Sequence, residues 1–308
     1  MLKKLLTGFI PLLFLTILFS FRKERPDGVL DGAPYKAPNF AIKTIIVDAG
    51  HGGSDVGARG AYSFEKDICL GVSLKLGKLL EDEFKDVKIL YTRTTDVYPA
   101  IKERADFANA NKGDLFVSIH VNAGPPVRHS KFAGYRKETY YTGKGKKRKK
   151  RTRTVPKYTT YFTPNNSRGT ETYIWAADRT SAKGDYVSER LSEVVDESAE
   201  FAPDLNDPTF KAQSLLWTKK YFTKSLLLAN LVEEEFLKEG RESRGVKQRN
   251  EKGIWVLQAT AMPSILVETG FISHKPDEEY LNSKKGQEAI AENVLNAIRR
   301  YRDATEGK

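Results

Sequence analysis

Nine residues, Ile45–Ile46–Val47–Asp48–Ala49–Gly50–His51–Gly52–Gly53, constrain this chain more than any others. Three β-branched residues run into an acid, a small residue and a histidine held between glycines. The run predicts a short buried strand that stops abruptly. The glycines then let the backbone take conformations closed to other residues and leave room beside the imidazole. His51 is therefore expected at the C-terminal end of a strand, where open α/β sheets place their sites. The same pattern also admits a plain glycine turn with an incidental histidine.

Asp114–Leu115–Phe116–Val117–Ser118–Ile119–His120–Val121–Asn122–Ala123 has the same character, a buried-strand run with a histidine near its end. The chain has four histidines, and two of them close apolar strands. Neutral imidazole is the commonest metal ligand, and a catalytic zinc takes three protein ligands while leaving one position for water. Glu65, in Ser63–Phe64–Glu65–Lys66–Asp67, is a candidate third ligand where a helix begins. A first-turn carboxylate favoured by the helix dipole is the alternative for that residue.

These segments carry a resemblance. Asp48-Ala-Gly-His51-Gly-Gly, Glu65-Lys-Asp67, Thr92-Arg93-Thr-Thr-Asp96, Ser118-Ile-His120-Val-Asn122-Ala and Val267-Glu268-Thr-Gly270-Phe271-Ile-Ser occur in one order between about Ile42 and Tyr301. Together they resemble the zinc-dependent N-acetylmuramoyl-L-alanine amidases of bacterial cell walls. The resemblance implies one zinc per chain on His51, Glu65 and His120, with Glu268 as the catalytic carboxylate beside it. It implies cleavage of the amide joining the lactyl group of N-acetylmuramic acid to L-alanine of the peptidoglycan stem peptide, in wall remodelling or daughter-cell separation. Asn122, Arg93 and Arg104 are substrate-binding candidates on the same basis, and Arg104 is also expected to anchor the loops around the site, since the family pattern has an arginine there. A solvated helix charge is the other reading of Arg104.

Residues 1–21 form a targeting segment: Lys3 and Lys4 precede an uncharged, mostly apolar run from Leu5 to Phe21. That is the basic start and apolar middle of a secretory signal. No small-residue cleavage site follows, and the run is at the short edge of a membrane span with Pro11 inside it. Export to the periplasm or cell envelope is expected, with the segment either cleaved or kept as an anchor. Residues 22–40, with Pro26, Pro34 and Pro38, predict an extended linker. The single cysteine, Cys69, excludes an intramolecular disulfide and sits between Ile68 and Leu70 as a small buried hydrophobe.

The catalytic domain is expected over residues 41–304. Helix around 67–84, strand 87–92, helix 100–111 and the His120 strand alternate as in an α/β fold. A three-layer architecture follows, with a mostly parallel or mixed central sheet flanked by helices. Residues 170–175 are a further strand and 210–239 a long helix. Gly245–Gln248 and Trp255–Leu257 lead into a short strand, 264–268 is the last strand, and 288–301 a closing helix.

A long basic insertion, residues 126–168, interrupts this pattern. Between Pro126 and Lys157 there are thirteen Lys or Arg and one acid, Glu138, a balance of +12 that leaves the rest of the +11 chain at −1. Such a run is usually a solvated, mobile loop, and otherwise a loop that binds anionic envelope polymers. The export signal argues against nucleic acid as its partner. Residues 186–208 are acidic. Some members of the amidase family carry a regulatory segment here that blocks the site until an activator protein displaces it. Glu193, Asp196, Glu197 and Glu200 offer carboxylates for zinc's open position; ordinary solvated acids are the alternative.

The chemistry also follows from the residues. Zinc with an open position lowers its water's pKa and polarises an amide carbonyl. A free carboxylate in reach takes the water proton and passes it to the leaving amine. Glu268, at the end of Ile265–Leu266–Val267, fits that role, or is an exposed strand-end acid. His129 and His274 are not needed as ligands. A zinc peptidase on stem peptides and a non-catalytic binder of anionic wall polymers remain alternatives to the amidase.

Overall fold

The computed structural model describes residues 41–196, 206–251 and 253–307. The targeting segment and linker expected over 1–40 lie outside the described residues. Six strands form the central sheet: β1 (Thr44–Ala49), β2 (Lys88–Tyr91), β3 (Leu115–Asn122), β6 (Thr170–Tyr173), β7 (Ser243–Lys247) and β8 (Ser264–Phe271). Their order is β2-β1-β3-β8-β6-β7. All neighbours are parallel except β6 and β8, which run antiparallel, so the sheet is mixed as expected.

The helices are α1 (Glu65–Glu83), α2 (Ile101–Ala110), α3 (Thr180–Asp196), α4 (Pro208–Lys238), α5 (Trp255–Ala259), α6 (Lys275–Asn282) and α7 (Lys284–Glu306). Alternation along the strands explains the layering, because successive side chains point to opposite faces. Ile45, Val47, Leu115, Val117, Ile119, Ile265 and Val267 face α1, α7 and the C-terminal half of α4. Ile46, Phe116, Leu266 and Tyr173 face the other way, toward α2, α3, α5 and the start of α4. The central strands are thus buried on both faces, which is why they read as apolar runs. Asp48, Ser118, His120 and Glu268 continue the second set, so the chemistry-bearing side chains lie toward α2 and α5.

The insertion is not an irregular loop. β4 (Val127–Thr142) and β5 (Lys149–Thr163) pair antiparallel over most of their length, with one irregularity between Phe132 and Tyr135. Alternating Thr, Tyr and Val within the basic run, densest over 154–163, supply the β preference that overrides the charge pattern. The hairpin leaves the sheet after β3 and returns at the start of β6, with Asn165 Nδ2 donating to the Pro125 carbonyl at 3.0 Å. Trp255–Leu257, expected to lead into a strand, lie in the short helix α5. Among the described residues no helix is long and apolar enough to cross a membrane.

Candidate metal centre

β1 and β3 are adjacent and parallel, with Ala49 opposite Ile119. His51 and His120 therefore emerge at the same sheet edge, and Glu65, the first residue of α1, meets both. His51 Nε2 is 3.2 Å and His120 Nδ1 2.9 Å from Glu65 Oε1. A tetrahedral zinc with bonds of about 2.0–2.1 Å spaces its ligand atoms about 3.3 Å apart. Each histidine nitrogen thus lies at about that spacing from Glu65 Oε1, all three donor atoms fall within 4.8 Å of one another, and two nitrogens with one carboxylate oxygen is a donor set that zinc favours.

Local backbone geometry makes this convergence possible. His51 itself has φ of 58°, an uncommon conformation for a residue with a side chain. Arg104 steadies that turn by donating to the His51 and Ala49 carbonyls at 2.6 Å each, while its Nη1 also bonds Asp48 at 2.7 Å. Asp48 further accepts from Thr92 and Ser118. Burial alone would raise the Asp48 carboxyl, but Arg104 and the two hydroxyls outweigh it and hold it below its usual range. Arg93 donates to the Ala49, Gly50 and Lys66 carbonyls at 2.8–2.9 Å. Both arginines are almost fully buried. Arg93 thus holds the main chain of the ligand-bearing loops, and Arg104 holds the same loops and Asp48 while lining the cleft.

Asp55, which sequence reasoning passed over, accepts from His51 Nδ1 at 2.8 Å. A carboxylate on the far ring nitrogen is the usual device that orients a metal-binding imidazole. The i,i+4 spacing from His51 was the available signal. Burial disfavours a charged His51 ring, yet Glu65 and Asp55 overcome this and raise it to about 9 in the metal-free site. Glu65 is held well below its usual range, its burial outweighed by the two histidines. A ring held this basic gives up a proton to gain a metal, and a carboxylate this acidic is always ready to bind one.

Glu268 lies directly opposite His120 in the β3–β8 register. Burial pushes it up to about 7. Its Oε2 is buried and has no hydrogen-bond partner, while Oε1 is 3.8 Å from Arg249. A buried polar atom left unpaired is costly unless something else uses it. Asn122 donates to Glu171 at 3.1 Å, and Glu171 in turn holds Arg244 and Lys247. Asn122 still lines the cleft.

That cleft, of about 360 Å³, contains all three donors, Glu268, Asn122 and Arg249, with Tyr98, Ile101, Ile254, Trp255 and Val256 as an apolar wall. No described residue of the acidic segment lines it. In that segment Val187 and Leu191 are buried in the core, Arg190 donates to the Gly113 carbonyl at 2.5 Å, and Glu193 lines a separate surface hollow. Glu197, Glu200 and the side chain of Asp196 lie outside the described residues. His129 is bonded to Thr163 and His274 lies near Asp277, and neither is in the group of three donors found among the described residues.

A mixed α/β sheet that gathers two histidines and a glutamate able to hold a metal ion beside a buried carboxylate is the arrangement of a hydrolytic centre. The sequence profile of the N-acetylmuramoyl-L-alanine amidases matches residues 45–300. The chain belongs to that family, whose members are hydrolases of the peptidoglycan cell wall. It is 29% identical to the uncharacterized protein YqiI of Bacillus subtilis, over 85% of each chain. It is 30% identical to the N-acetylmuramoyl-L-alanine amidase AmiC of Escherichia coli over 91% of this chain, which spans 57% of that protein. The fold is shared with the N-acetylmuramoyl-L-alanine amidase of Clostridium difficile 630, with a TM-score of 0.54, 24% identity and coverage of 86% of this chain and 98% of the other.

Proposed function

We propose that this chain is a zinc-dependent amidase that hydrolyses the bond between the lactyl group of N-acetylmuramic acid and L-alanine of the stem peptide. The observation that carries this reading is the convergence of His51 Nε2, Glu65 Oε1 and His120 Nδ1 beside a buried carboxylate with one unpartnered oxygen. Zinc bound there supplies a nucleophilic water near neutral pH and polarises the amide carbonyl.

The chain's own groups do the rest. Asp55 fixes the His51 ring so that Nε2 faces the cleft. Glu268 Oε2 accepts the proton of the attacking water and returns it to the departing nitrogen of L-alanine. Arg249 favours the ionised form that the first of these transfers needs. The apolar wall from Ile254 to Val256 keeps bulk water off the reacting centre. Asn122, at the cleft edge, is placed to bind a polar group of the substrate.

Residues 1–21 support export, so the proposed place of action is the cell envelope. The cationic hairpin supports retention there by anionic envelope polymers, since concentrated exposed charge attracts polyanions. Digestion of purified peptidoglycan, followed by mass analysis, tests the reaction. Release of intact stem peptides with a free L-alanine amine, abolished by a chelator, is the expected result. Cleavage within the stem peptide would make the chain a peptidase, and no release would reject catalysis.

A further inference from the structure

The β4–β5 hairpin buries none of its strand residues. Directly opposed residues project to the same face, and faces alternate along each strand. The register pairs Tyr135 with Pro156, Phe132 with Tyr158 and Arg128 with Phe162. Pro156, Tyr158 and Phe162 are alternate residues of β5, so the irregularity in β4 keeps Phe132 and Tyr135 on their face. Phe132, Tyr135, Tyr158 and Phe162 thus share one face, 50%, 70%, 59% and 62% exposed. Phe132 meets Tyr135 and Tyr158 edge-on, with ring centroids 5.2 and 5.9 Å apart. Ser130, Thr154 and Thr160 add hydroxyls to this face. Arg128, Lys137 and Lys150 share this face, and the other carries Arg136, Lys149, Arg151, Arg153 and Lys157.

Four exposed aromatics on one face, three of them in ring contact, mark an interaction surface, and a lone two-stranded ribbon is only marginally stable without a covering partner. Position identifies the partner. The hairpin springs from Asn122 at the cleft edge and returns to β6, whose Glu171 pairs with Glu268. The aromatic cluster occupies the half nearest the cleft, within about 30 Å of chain length from Val127. A membrane would be met by the tip, where residues 143–150 are glycine and basic residues without an aromatic. A second copy would bring two hairpins of the same strong positive charge together.

We propose that the aromatic face of the hairpin is a second binding surface for the polysaccharide strands of peptidoglycan, outside the cleft. Sugar rings present flat C–H faces that pack on aromatic rings, and their hydroxyls bond the Thr and Ser side chains between those rings. The occupant is thus the substrate polymer itself, continuing from the cleft along the hairpin. The proposal rests on the peptidoglycan reading given above.

The test uses the full chain and a variant with Phe132→Ala, Tyr135→Ala, Tyr158→Ala and Phe162→Ala, pelleted with sacculi stripped of anionic polymers by acid. Expected is about tenfold weaker binding, as for loss of two or more interface anchors, at high salt as well as low, with turnover of a soluble disaccharide–peptide unchanged. Tyr135→Ala alone, which leaves the strand pairing intact, weakens binding in the same direction. Arg136→Ser with Arg151→Ser and Arg153→Ser binds the stripped sacculi like the parent. Parental pelleting by the aromatic variants overturns the proposal, as does a loss confined to vesicles of anionic phospholipid. Failure of every protein to cleave the soluble substrate would reject the amidase reading, while the pelleting still decides the hairpin.

Discussion

A β-carbon on Gly50 would come within 2.4 Å of Cε1 of His120. The glycine of β1's end is therefore the space that His120 occupies, and the two strands are fitted to each other at that point. Gly50→Ala is expected to fold, displace the His120 ring and weaken zinc binding by about 10- to 100-fold, the usual cost of disturbing a ligand's support. Equilibrium dialysis against a competing chelator measures this; parental affinity would show that the ring moves aside freely.

His120 and Glu268 face each other in register but are expected to fail differently. His120→Ala should remove both metal and activity. Glu268→Gln should keep the metal and the melting temperature while losing activity by about a hundredfold or more. Metal analysis beside turnover separates the two, and loss of zinc in Glu268→Gln would make that residue a ligand.

Asp48 supports the site from below through Arg104. Asp48→Asn leaves a buried guanidinium without its charge partner, at a cost of about 3–5 kcal/mol, measurable by urea unfolding. The wild-type contribution has a definite pH sign. Because the folded carboxyl sits below the ordinary aspartate value of about 3.9, its stabilisation is complete above about pH 4 and is lost as pH falls through the lowered folded value. Asp48→Asn should flatten that part of the stability–pH curve.

Glu268 must be ionised to accept a proton, so activity should fall on the acid side of its titration. Burial pushes it up to about 7 without metal, and His120 and Arg249 oppose that rise; a bound dication pulls in the same direction as they do. Arg249→Ala should move the acid limb of kcat/KM to higher pH, with the alkaline limb in place. A profile measured from about pH 5 to pH 9 that does not move would remove Arg249 from this role.

The basic charge at the tip of the hairpin has its own signature. Deleting Gly143 to Arg153 should weaken binding to untreated sacculi at low salt and reduce its salt dependence, since exposed charges are screened within about 10 Å at 0.1 M salt. Soluble-substrate turnover should be unaffected. Unchanged low-salt binding would mean that the charge serves solubility alone.

What was legible in the sequence follows a physical pattern. Ile45–Val47 and Leu115–Ile119 are buried on both faces, so their strands announce themselves as apolar runs. His51, Glu65 and His120 lie where those runs end, and their type declares their chemistry. The loop-anchoring bonds of Arg93 and Arg104 could not be listed in advance, because their targets include main-chain carbonyls about fifty residues away, which no local pattern encodes. The hairpin was obscured because thirteen basic residues suggest repulsion, whereas Tyr140 opposite Arg151 and Glu138 opposite Arg153 turn several of them into cross-strand partners. Trp255 sat in an apolar stretch too short to distinguish one helical turn from a strand.

The bond between Asn165 and Pro125 closes the excursion of the hairpin where it starts. Closing a long detour at its root fixes the ends for the sheet whatever lies between them, and added length changes the closure entropy only slowly. The root is therefore a splice point. A shorter turn or an unrelated small domain grafted between Pro125 and Asn165 should leave the hydrolytic core folded. Enzymes differing only in this exchangeable head would share one reaction and differ in where on the wall they perform it.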